Sequence, residues 1–257
     1  MEANKLREIF NDQIRIQSIP EGYHRQATEE VIRHVSLYGE KGFISFSDLT
    51  KENAEKIVER ETNYFKKINQ RFEWKAYSYD QPENLVEILE AKGFDKEDPE
   101  ALMIMEVTND HPFLQYNTSH VKEITDKKGI QEIIQLEDRV WNFPHEDLGE
   151  RLWRDKQIIP DYLFLYGVYE NNQLVSAAWM YIENQTSFTS LWGGSTLPDF
   201  RGKGYYTSLL AARAKRAYVE GYPYLTVDAS PMSRTILEKN GFQFLGYSYG
   251  CQSPSLN

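Results

Sequence analysis

One stretch of the sequence decides the fold of this chain: Gly194-Ser195-Thr196-Leu197-Pro198-Asp199-Phe200-Arg201-Gly202-Lys203-Gly204-Tyr205. The sequence predicts a strand over 187–196 before the turn and a helix over 203–220 after it. The first turn of a helix presents backbone N–H groups without internal partners, and the helix dipole adds positive potential there. A strand that passes into a helix through this turn therefore predicts a site for a phosphate-bearing ligand.

The composition of the turn favours a pyrophosphate. Gly202 and Gly204 let the backbone approach phosphate oxygens without an intervening Cβ, and Arg201 and Lys203 add positive charge. No Gly-x-x-x-x-Gly-Lys-Ser/Thr sequence is present, which excludes a P-loop. A dinucleotide fingerprint fits poorly, because its third glycine position is occupied by Thr207. The alternative is an ordinary surface turn, which the strand-to-helix context disfavours.

The helix after the turn is predicted to be amphipathic. Its apolar stripe is expected to contain Tyr206, Leu210, Ala214, Ala217 and Tyr218. The cationic residues Arg213, Lys215 and Arg216 fall off that stripe.

The remaining elements follow from periodicity and from turn residues. In the second half we predict strands over 119–124, 162–169, 173–183, 223–229 and 242–250, and helices over 128–141 and from Pro231 to Gly241. In the first half we predict helices over 3–14, 51–68 and from Pro82 to Gly93, and strands over 31–37, 43–49, 71–79 and 101–107. A turn-rich segment, 108–120, is the candidate boundary, which gives domains at 1–115 and 116–257.

The two halves share a faint repeat. Residues 87–94 resemble residues 235–242, with an offset of 148, and Asp80 and Asp228 share that offset. Both halves run strand, long helix, strand, short helix, Gly-Phe and strand. Leucine, glutamate and a glycine stop recur at many helix ends, which is the alternative explanation, but the order of elements favours a tandem repeat.

Bulk properties exclude several classes of protein. The chain has 257 residues and a net charge of -10, which disfavours general binding to nucleic acids or anionic membranes. Its one cysteine, Cys251, cannot form an internal disulfide. No apolar run is long enough to span a bilayer, and the first 14 residues lack the apolar core of a signal peptide. A cytoplasmic protein is the expectation.

The stretch 194–205 resembles the core motif of the GNAT superfamily of N-acetyltransferases, Gln/Arg-x-x-Gly-x-Gly/Ala. The downstream strand Leu225-Thr226-Val227-Asp228 and the ending 236–242 resemble the next strand and helix of that family. The resemblance covers 119–257. It implies an α+β (mixed α/β) fold with a twisted, mostly antiparallel sheet flanked by helices. With the repeat, it implies two tandem copies.

The resemblance also implies acetyl-coenzyme A as the cofactor and a small-molecule amine or an amino terminus as the acceptor, without a metal. Backbone groups of Ser195, Thr196 and Leu197 would lie along the pantetheine arm and the acetyl carbonyl. The pyrophosphate would face the amides of Arg201, Gly202, Lys203, Gly204, Tyr205 and Tyr206. Ser230 and Ser233 would add further cofactor contacts. The strands 187–196 and 223–229 would splay apart to admit the cofactor.

The sequence departs from the family pattern at three positions. Tyr206 replaces a glycine or alanine, and its ring is expected on the sheet side of the helix. Leu237 stands where many members have a tyrosine that protonates the leaving thiolate. The usual base position falls near Ser190, in a strand without a carboxylate. The catalytic residues are therefore unknown.

Two weak candidates for the base are Asp228 and His145. Asp228 is more typical of a helix N-cap, and a lone histidine in an acidic loop is more typical of a surface residue. Because the usual acid and base are absent, two functions stay open. One is an acetyltransferase, and the other is a non-catalytic sensor of acyl-coenzyme A.

The first copy of the repeat is expected to lack a cofactor site. The repeat offset from Arg201 falls on Asn53, within the segment 46–56. That segment has no glycine and carries three carboxylates, Asp48, Glu52 and Glu55. Negative side chains at a helix N-terminus would repel a pyrophosphate. The hypothesis is a degenerate GNAT-like domain over 1–115 and an acetyltransferase domain over 116–257.

Overall fold

The computed structural model describes residues 2–256 and forms two compact units. Unit 1 comprises Met1–Ile104 and Asp228–Asn257, and unit 2 comprises Met105–Val227. The C-terminal segment therefore groups with the first hundred residues. The two units do not coincide with the domains 1–115 and 116–257 expected from the sequence. We keep those two domains as a proposal that the chain contains two repeated halves.

Unit 1 contains a mixed sheet with helices around it. Its helices are α1 (Ala3–Phe10), which continues as a π-helical segment Asn11–Gln17, α2 (Ala54–Lys67), α3 (Leu85–Ala91) and α7 (Pro231–Lys239). Its strands are β1 (Tyr23–Ala27), β2 (Val31–Ser36), β3 (Gly42–Ser47), β4 (Phe72–Tyr77), β5 (Asp95–Lys96), β6 (Glu100–Glu106, which begins in this unit) and β12 (Gln243–Gln252). The strand order is β1-β2-β3-β4-β12-β6, with β5 paired to β12. The last strand of the chain thus completes the sheet of unit 1.

Unit 2 contains a second set of strands. Its helices are α4 (Lys127–Trp141), α5 (Glu146–Ile158) and α6 (Tyr205–Val219), with short 3-10 turns at Pro112–Gln115 and Pro198–Phe200. Its strands are β7 (Val121–Ile124), β8 (Leu163–Glu170), β9 (Gln173–Ile182), β10 (Phe188–Thr196) and β11 (Tyr224–Ala229, which begins in this unit). The strand order is β7-β8-β9-β10-β11.

The two units repeat one arrangement of strands. Three antiparallel strands are followed by a helix and a strand parallel to the third, as β1-β2-β3-α2-β4 and as β8-β9-β10-α6-β11. The sheets are otherwise mostly antiparallel, and seven α-helices flank them within residues 2–256. The predicted α+β class with a mostly antiparallel sheet is confirmed. None of the helices described is long and apolar enough to cross a membrane.

Most predicted elements lie within three residues of their observed bounds, but β1, α5 and the two-residue strand β5 were missed. Strand β1 reads Tyr-His-Arg-Gln-Ala and none of its residues is buried, so its side chains carry no apolar alternation. Helix α5 buries only Leu152 and Asp155. Both elements are held by neighbouring elements of the sheet or helix layer, and their own sequences show little periodicity.

Strands β3 and β4 separate within unit 1. Their parallel pairing ends at Ile44 and Trp74, although both strands continue for three more residues. A bulge in β3 at Ser45, opposite β2, marks the same point. The side chain of Arg15 occupies this region. Its Nε donates to the Ser45 carbonyl at 2.9 Å, and its two terminal nitrogens each donate to Asp80 at 2.8 Å.

The Arg15–Asp80 pair is enclosed. The exposed fractions of the two side chains are 2% and 5%. The Arg15 guanidinium lies 4.3 Å from the centre of the Tyr77 ring, and the Tyr77 amide donates to Asp80 at 3.0 Å. The pair thus ties the N-terminal helical segment to β3 and to the end of β4.

We predict that Arg15→Met destabilises the protein by about 3 kcal/mol, because it leaves the Asp80 carboxylate buried without its cation. The double variant with Asp80→Asn should regain much of that loss, since neither group is then charged. Denaturant unfolding measures both. Arg7→Met on α1 is the control, with a change below about 0.5 kcal/mol. Equal losses for Arg7→Met and Arg15→Met would contradict this account.

Candidate functional site

The predicted phosphate turn lies in unit 2, between β10 and α6. The Leu197 amide donates to the Val175 carbonyl at 3.0 Å, which holds the end of β10 to β9. A 3-10 turn, Pro198–Phe200, follows. Gly202 and Gly204 then have φ of +77° and +83°, a region that side chains with a Cβ adopt only with strain. The two glycines let the chain reverse into α6.

The N-terminus of α6 is open to a ligand. Gly204 is its N-cap, no side chain caps it, and its first turn contains no acidic residue. A Cβ built on Gly202 would meet no atom within 4 Å. The turn residues from Arg201 to Gly204 are exposed. Uncapped amides at a helix N-terminus suit an anion, and Arg201 and Lys203 place positive charge in the same turn.

Two side chains of the turn are held in place. Arg201 Nε donates to the Thr196 carbonyl at 3.1 Å, and Lys203 Nζ lies 4.7 Å from the centre of the Phe200 ring. The Tyr205 hydroxyl donates to Glu170, and that hydrogen bond raises the pKa of the phenol. The backbone amide of Tyr205 is therefore available to an anion, while its hydroxyl donates to the Glu170 carboxylate.

Strands β10 and β11 separate beside this turn. Their parallel pairing covers three residue pairs and ends at Ser190 and Thr226. Strand β10 then continues to Thr196, paired with β9. One edge of β10 after Ser190 is thus released from its parallel neighbour, as the resemblance implied.

Two consecutive glycines form a bulge in β10 at this edge. Gly193 and Gly194 have φ of +67° and +92°, and the register with β9 shifts between Gly193 and Ser195. A Cβ on Gly194 would lie 2.7 Å from the Tyr206 ring, and one on Gly193 would overlap the Trp179 ring. Tyr206 therefore packs over the bulge of β10, on the sheet side of α6, where the sequence placed it.

The buried face of α6 differs from the predicted apolar stripe at Arg213 and Tyr218. The exposed fraction of Arg213 is 2%, whereas Tyr218, predicted on the apolar stripe, is exposed. Arg213 Nη1 donates to the Trp179 and Trp192 carbonyls, each at 3.3 Å, and Nε donates to Leu209. Burial lowers the pKa of this guanidinium to about 10. Periodicity alone could not show that carbonyls just before the bulge would accept a buried cation.

The predicted residues Ser195 and Thr196 use their side chains within unit 2. Ser195 Oγ donates to Glu137 Oε2 at 2.8 Å, and Thr196 Oγ1 lies 2.7 Å from Ser176 Oγ. Glu137, on α4, was not identified from the sequence. Only its place on the inner face of a predicted helix could have drawn attention to it, because a charged residue there is rarely buried.

The empty base position of β10 has a carboxylate beside it. Ser190 Oγ donates to Glu183 Oε1 at 2.5 Å and accepts a hydrogen bond from Trp192 Nε1 at 2.9 Å. Burial raises the pKa of Glu183. Glu183 follows β9, so a search confined to residues 187–196 could not find it.

Asp228 lies in unit 1, in an ion pair. Its Oδ2 is 3.0 Å from Lys75 Nζ, and its Oδ1 accepts from Ser248 Oγ at 2.9 Å. The N-cap of α7 is Ser230, whose Oγ accepts from the Ser233 amide at 3.4 Å, so the expectation of an Asp228 cap was wrong. Ser230 and Ser233 stand at the N-terminus of α7, also in unit 1.

The other weak candidate, His145, lies 3.0 Å from Asp138 through its Nδ1, in unit 2. Leu237, at the tyrosine position of the family, is fully buried in unit 1. A buried leucine offers no proton. The structure thus adds two carboxylates, Glu137 and Glu183, to the candidate acid–base residues. Leu237 cannot act as the proton donor.

We predict that Glu100→Gln in unit 1 flattens the pH dependence of stability. Burial, followed by the negative charge of Asp228, raises the pKa of Glu100 to about 7, and Lys75 opposes that rise. A carboxyl with a raised folded-state pKa contributes stability below its unfolded pKa of about 4.3, and that contribution is lost as pH rises through 7.

Glu100→Gln, which resembles the protonated form, should therefore gain about 1 to 2 kcal/mol relative to the wild-type chain between pH 5 and pH 8, after allowance for solvent screening. Denaturant unfolding at several pH values measures the difference. Glu97→Gln, at an exposed side chain, is the control and should change by less than about 0.5 kcal/mol. A gain that does not depend on pH would refute the assignment.

Comparison with known proteins agrees with this geometry. The model of the acetyltransferase (GNAT) family matches residues 130–242. Residues 130–242 therefore match the GNAT family, and the resemblance seen in the sequence is confirmed. A search of curated proteins found no match.

Solved structures show the same fold over nearly the whole chain. A GCN5-related N-acetyltransferase from Kribbella flavida has a TM-score of 0.66 at 12% identity, covering 98% of this chain and 95% of that one. A functionally unknown conserved protein from Staphylococcus epidermidis has a TM-score of 0.64 at 13% identity, covering 95% and 96%. A tandem GNAT protein from the clavulanic acid biosynthesis pathway has a TM-score of 0.60 at 9% identity, covering 93% and 86%. At these identities the likeness concerns the fold.

Proposed function

We propose that unit 2 binds acetyl-coenzyme A and transfers its acetyl group to an amine. The observation that carries the proposal is the uncapped N-terminus of α6, placed directly after a strand whose pairing with β11 ends at Ser190. The N-terminus of α6 suits the pyrophosphate of coenzyme A. The gap between β10 and β11 suits its narrow, extended pantetheine arm. The family match over 130–242 supports the same reaction class.

The residues of the turn fit a pyrophosphate in different ways. The amides that follow Arg201 face an open turn, and they are the proposed ligands, from Gly202 to Tyr206. Two other amides of the predicted set are already used, because Arg201 donates to the Pro198 carbonyl at 3.2 Å and Leu197 donates to Val175. For these two residues we propose a lesser part: a guanidinium charge from Arg201 and a carbonyl from Leu197.

The acyl end of the cofactor would lie along the free edge of β10. Ser195 and Thr196 keep their side chains bound within the unit, so their backbone groups are the available contacts. An acyl thioester already reacts with a neutral amine, and holding the two groups together supplies much of the rate. A backbone N–H at the bulge would stabilise the oxyanion that forms at the carbonyl.

The first half of the chain is proposed to have the fold without a cofactor site. In unit 1 the gap between β3 and β4 is filled by the Arg15 side chain and its partner Asp80. Helix α2 begins with Glu55 in its first turn, which disfavours an anion. Ser230 and Ser233 remain proposed cofactor contacts, and Asp228, bound to Lys75, is proposed as a structural residue.

A second function is a non-catalytic sensor of acyl-coenzyme A. It is favoured by one observation: the family tyrosine that would protonate the thiolate is replaced by the buried Leu237. A sensor needs the phosphate turn and the slot, but it needs no proton donor.

We predict release of the coenzyme A thiol when the full chain is mixed with acetyl-coenzyme A and a panel of primary amines. At least one amine should raise the release above the rate of hydrolysis without amine. The thiol is followed with a chromogenic disulfide, and the acetylated amine is identified by mass spectrometry. Tight binding of acetyl-coenzyme A without release for any amine would favour the sensor and count against transfer.

We also predict a split between two glycines at opposite ends of α6. Gly204 and Gly221 have φ of +83° and +84°, so an alanine at either site should cost about 1 kcal/mol of folding stability. Only Gly204→Ala distorts the phosphate turn, and it should weaken coenzyme A binding about tenfold or more.

Isothermal titration of coenzyme A into both variants measures the affinities, and thermal unfolding measures the stabilities. Gly221→Ala is the matched control, because a Cβ there meets no atom within 4 Å and its strain equals that at Gly204. Equal affinities in the two variants would show that coenzyme A does not use this turn.

A further inference from the structure

The face of the sheet formed by β9 and β10 carries an unusual set of side chains. Ser190, Trp192 and Ser195 stand opposite Tyr181, Trp179 and Ala177 in the register of the two strands. Residues that face each other across antiparallel strands share a face of the sheet, and so do alternate residues of one strand. The two serines and the two tryptophans therefore lie on one face, on either side of the bulge.

Helix α4 covers the part of this face beside the bulge. Its residue Glu137 reaches Ser195, one residue after Gly194. Glu137 Oε2 accepts from Ser195 Oγ at 2.8 Å and from Trp141 Nε1 at 2.9 Å. Both bonds go to the same oxygen, so the carboxylate is fixed in orientation at the point where the free edge of β10 begins its bulge.

The second oxygen of Glu137 has no partner. Glu137 is 3% exposed, yet Oε1 accepts no hydrogen bond within the part of the chain described. No lysine or arginine forms an ion pair with Glu137 among these residues. A buried carboxylate oxygen without a donor costs free energy, and such an oxygen points to a functional role or to a donor supplied by water, an ion or a ligand.

One hydrogen-bond partner of Glu137, Trp141, is exposed. Trp141 is the last residue of α4, and it is 58% exposed. The hydrogen bond from its indole N–H to Glu137 spans one helical turn. The next residue, Asn142, has a left-handed conformation and ends the helix. Of the two hydrogen-bond partners of Glu137, Trp141 is thus the exposed one, whereas Ser195 is buried.

We propose that Glu137 binds the acceptor amine in its protonated form and removes the proton that must leave before attack. The inference rests on the proposed acetyl transfer and names the residue and the class of acceptor for that site. The acceptor is a primary ammonium carried on an apolar or aromatic group, because the same face of the sheet presents the exposed side chain of Trp192. Trp192 is 51% exposed, so such a group can reach it.

The proton and bond changes balance without another reactant. The ammonium gives one proton to Glu137 Oε1 and becomes a neutral amine. Its lone pair forms the C–N bond to the thioester carbonyl, the C–S bond breaks, and the sulfur leaves with its electron pair. The nitrogen loses a second proton as the amide forms, and the sulfur takes up a proton to give the thiol. Glu137 returns its proton to solvent.

The electrostatics of the site suit this role. Burial raises the pKa of Glu137, while the bonds from Ser195 and Trp141 and the nearby His145 act in the opposite direction. Asp138, next in the chain, adds to the rise. A carboxylate with a raised pKa accepts a proton from an ammonium more readily than an exposed carboxylate does.

The test measures binding, so it does not depend on turnover. Six primary amines are compared with the matching alcohols, among them 2-phenylethylamine with 2-phenylethanol. Affinity for the full chain is measured by titration calorimetry, with and without saturating coenzyme A. We expect at least one amine to bind about tenfold or more tightly than its alcohol, as a charge-assisted hydrogen bond predicts.

Glu137→Gln should remove that preference while leaving the affinity for the alcohol within about twofold, because glutamine keeps the shape and can still accept from Ser195. Glu137→Asp, which keeps the charge, should retain part of the preference. Glu132→Gln is the matched control on the same helix, where the carboxylate accepts from the Tyr169 hydroxyl, and it should keep the wild-type preference.

Three results would overturn the proposal: no amine preferred over its alcohol by the wild-type chain, a preference that persists in Glu137→Gln, or an equal loss in Glu132→Gln. Thermal unfolding of each variant checks that the chain is folded. An amine preference that depends on Glu137 supports the acceptor site even if no thiol is released, and in that case the failure lies with acetyl transfer.

Discussion

The separation of β10 from β11 after Ser190 is the constraint on which the rest of unit 2 depends. Three parallel residue pairs hold the two strands, and then β10 continues for six residues with only β9 beside it. The bulge at Gly193 and Gly194 and the buried Arg213, which binds the Trp179 and Trp192 carbonyls just before the bulge, keep this edge in place. Because the edge leads directly to α6, a ligand that enters the gap meets a helix N-terminus at the end of the strand.

The same separation occurs inside unit 1, with a different outcome. Strands β3 and β4 part after Ile44, and β3 bulges at Ser45. Here the chain fills the gap itself, since the Arg15 guanidinium binds the Ser45 carbonyl and the Asp80 carboxylate. One backbone arrangement is thus compatible with an open edge or with a closed one, and in unit 1 the Arg15 side chain from the N-terminal segment occupies the gap.

Much of the fold could be predicted from the sequence, because strands and helices with a buried face show it in their periodicity. The turn between β10 and α6 could also be located, since its glycines and its cations mark the point where a strand ends and a helix begins. Residues held by distant partners could not. Arg213 was placed off the apolar stripe because its carbonyl partners come from β9 and β10, and Glu137 and Glu183 bind serines 58 and 7 residues away. Strand β12 pairs with β4 and β6 across more than a hundred residues, which no local pattern reveals.

In the proposed function, coenzyme A occupies the edge of β10 and the turn before α6. A crystal structure of the full chain with coenzyme A tests it most directly. The account predicts pyrophosphate oxygens within hydrogen-bonding distance of backbone amides between Gly202 and Tyr206, with the pantetheine arm along β10 beyond Ser190. Coenzyme A bound in the gap between β3 and β4, with Arg15 displaced, or bound away from both strands, would contradict it.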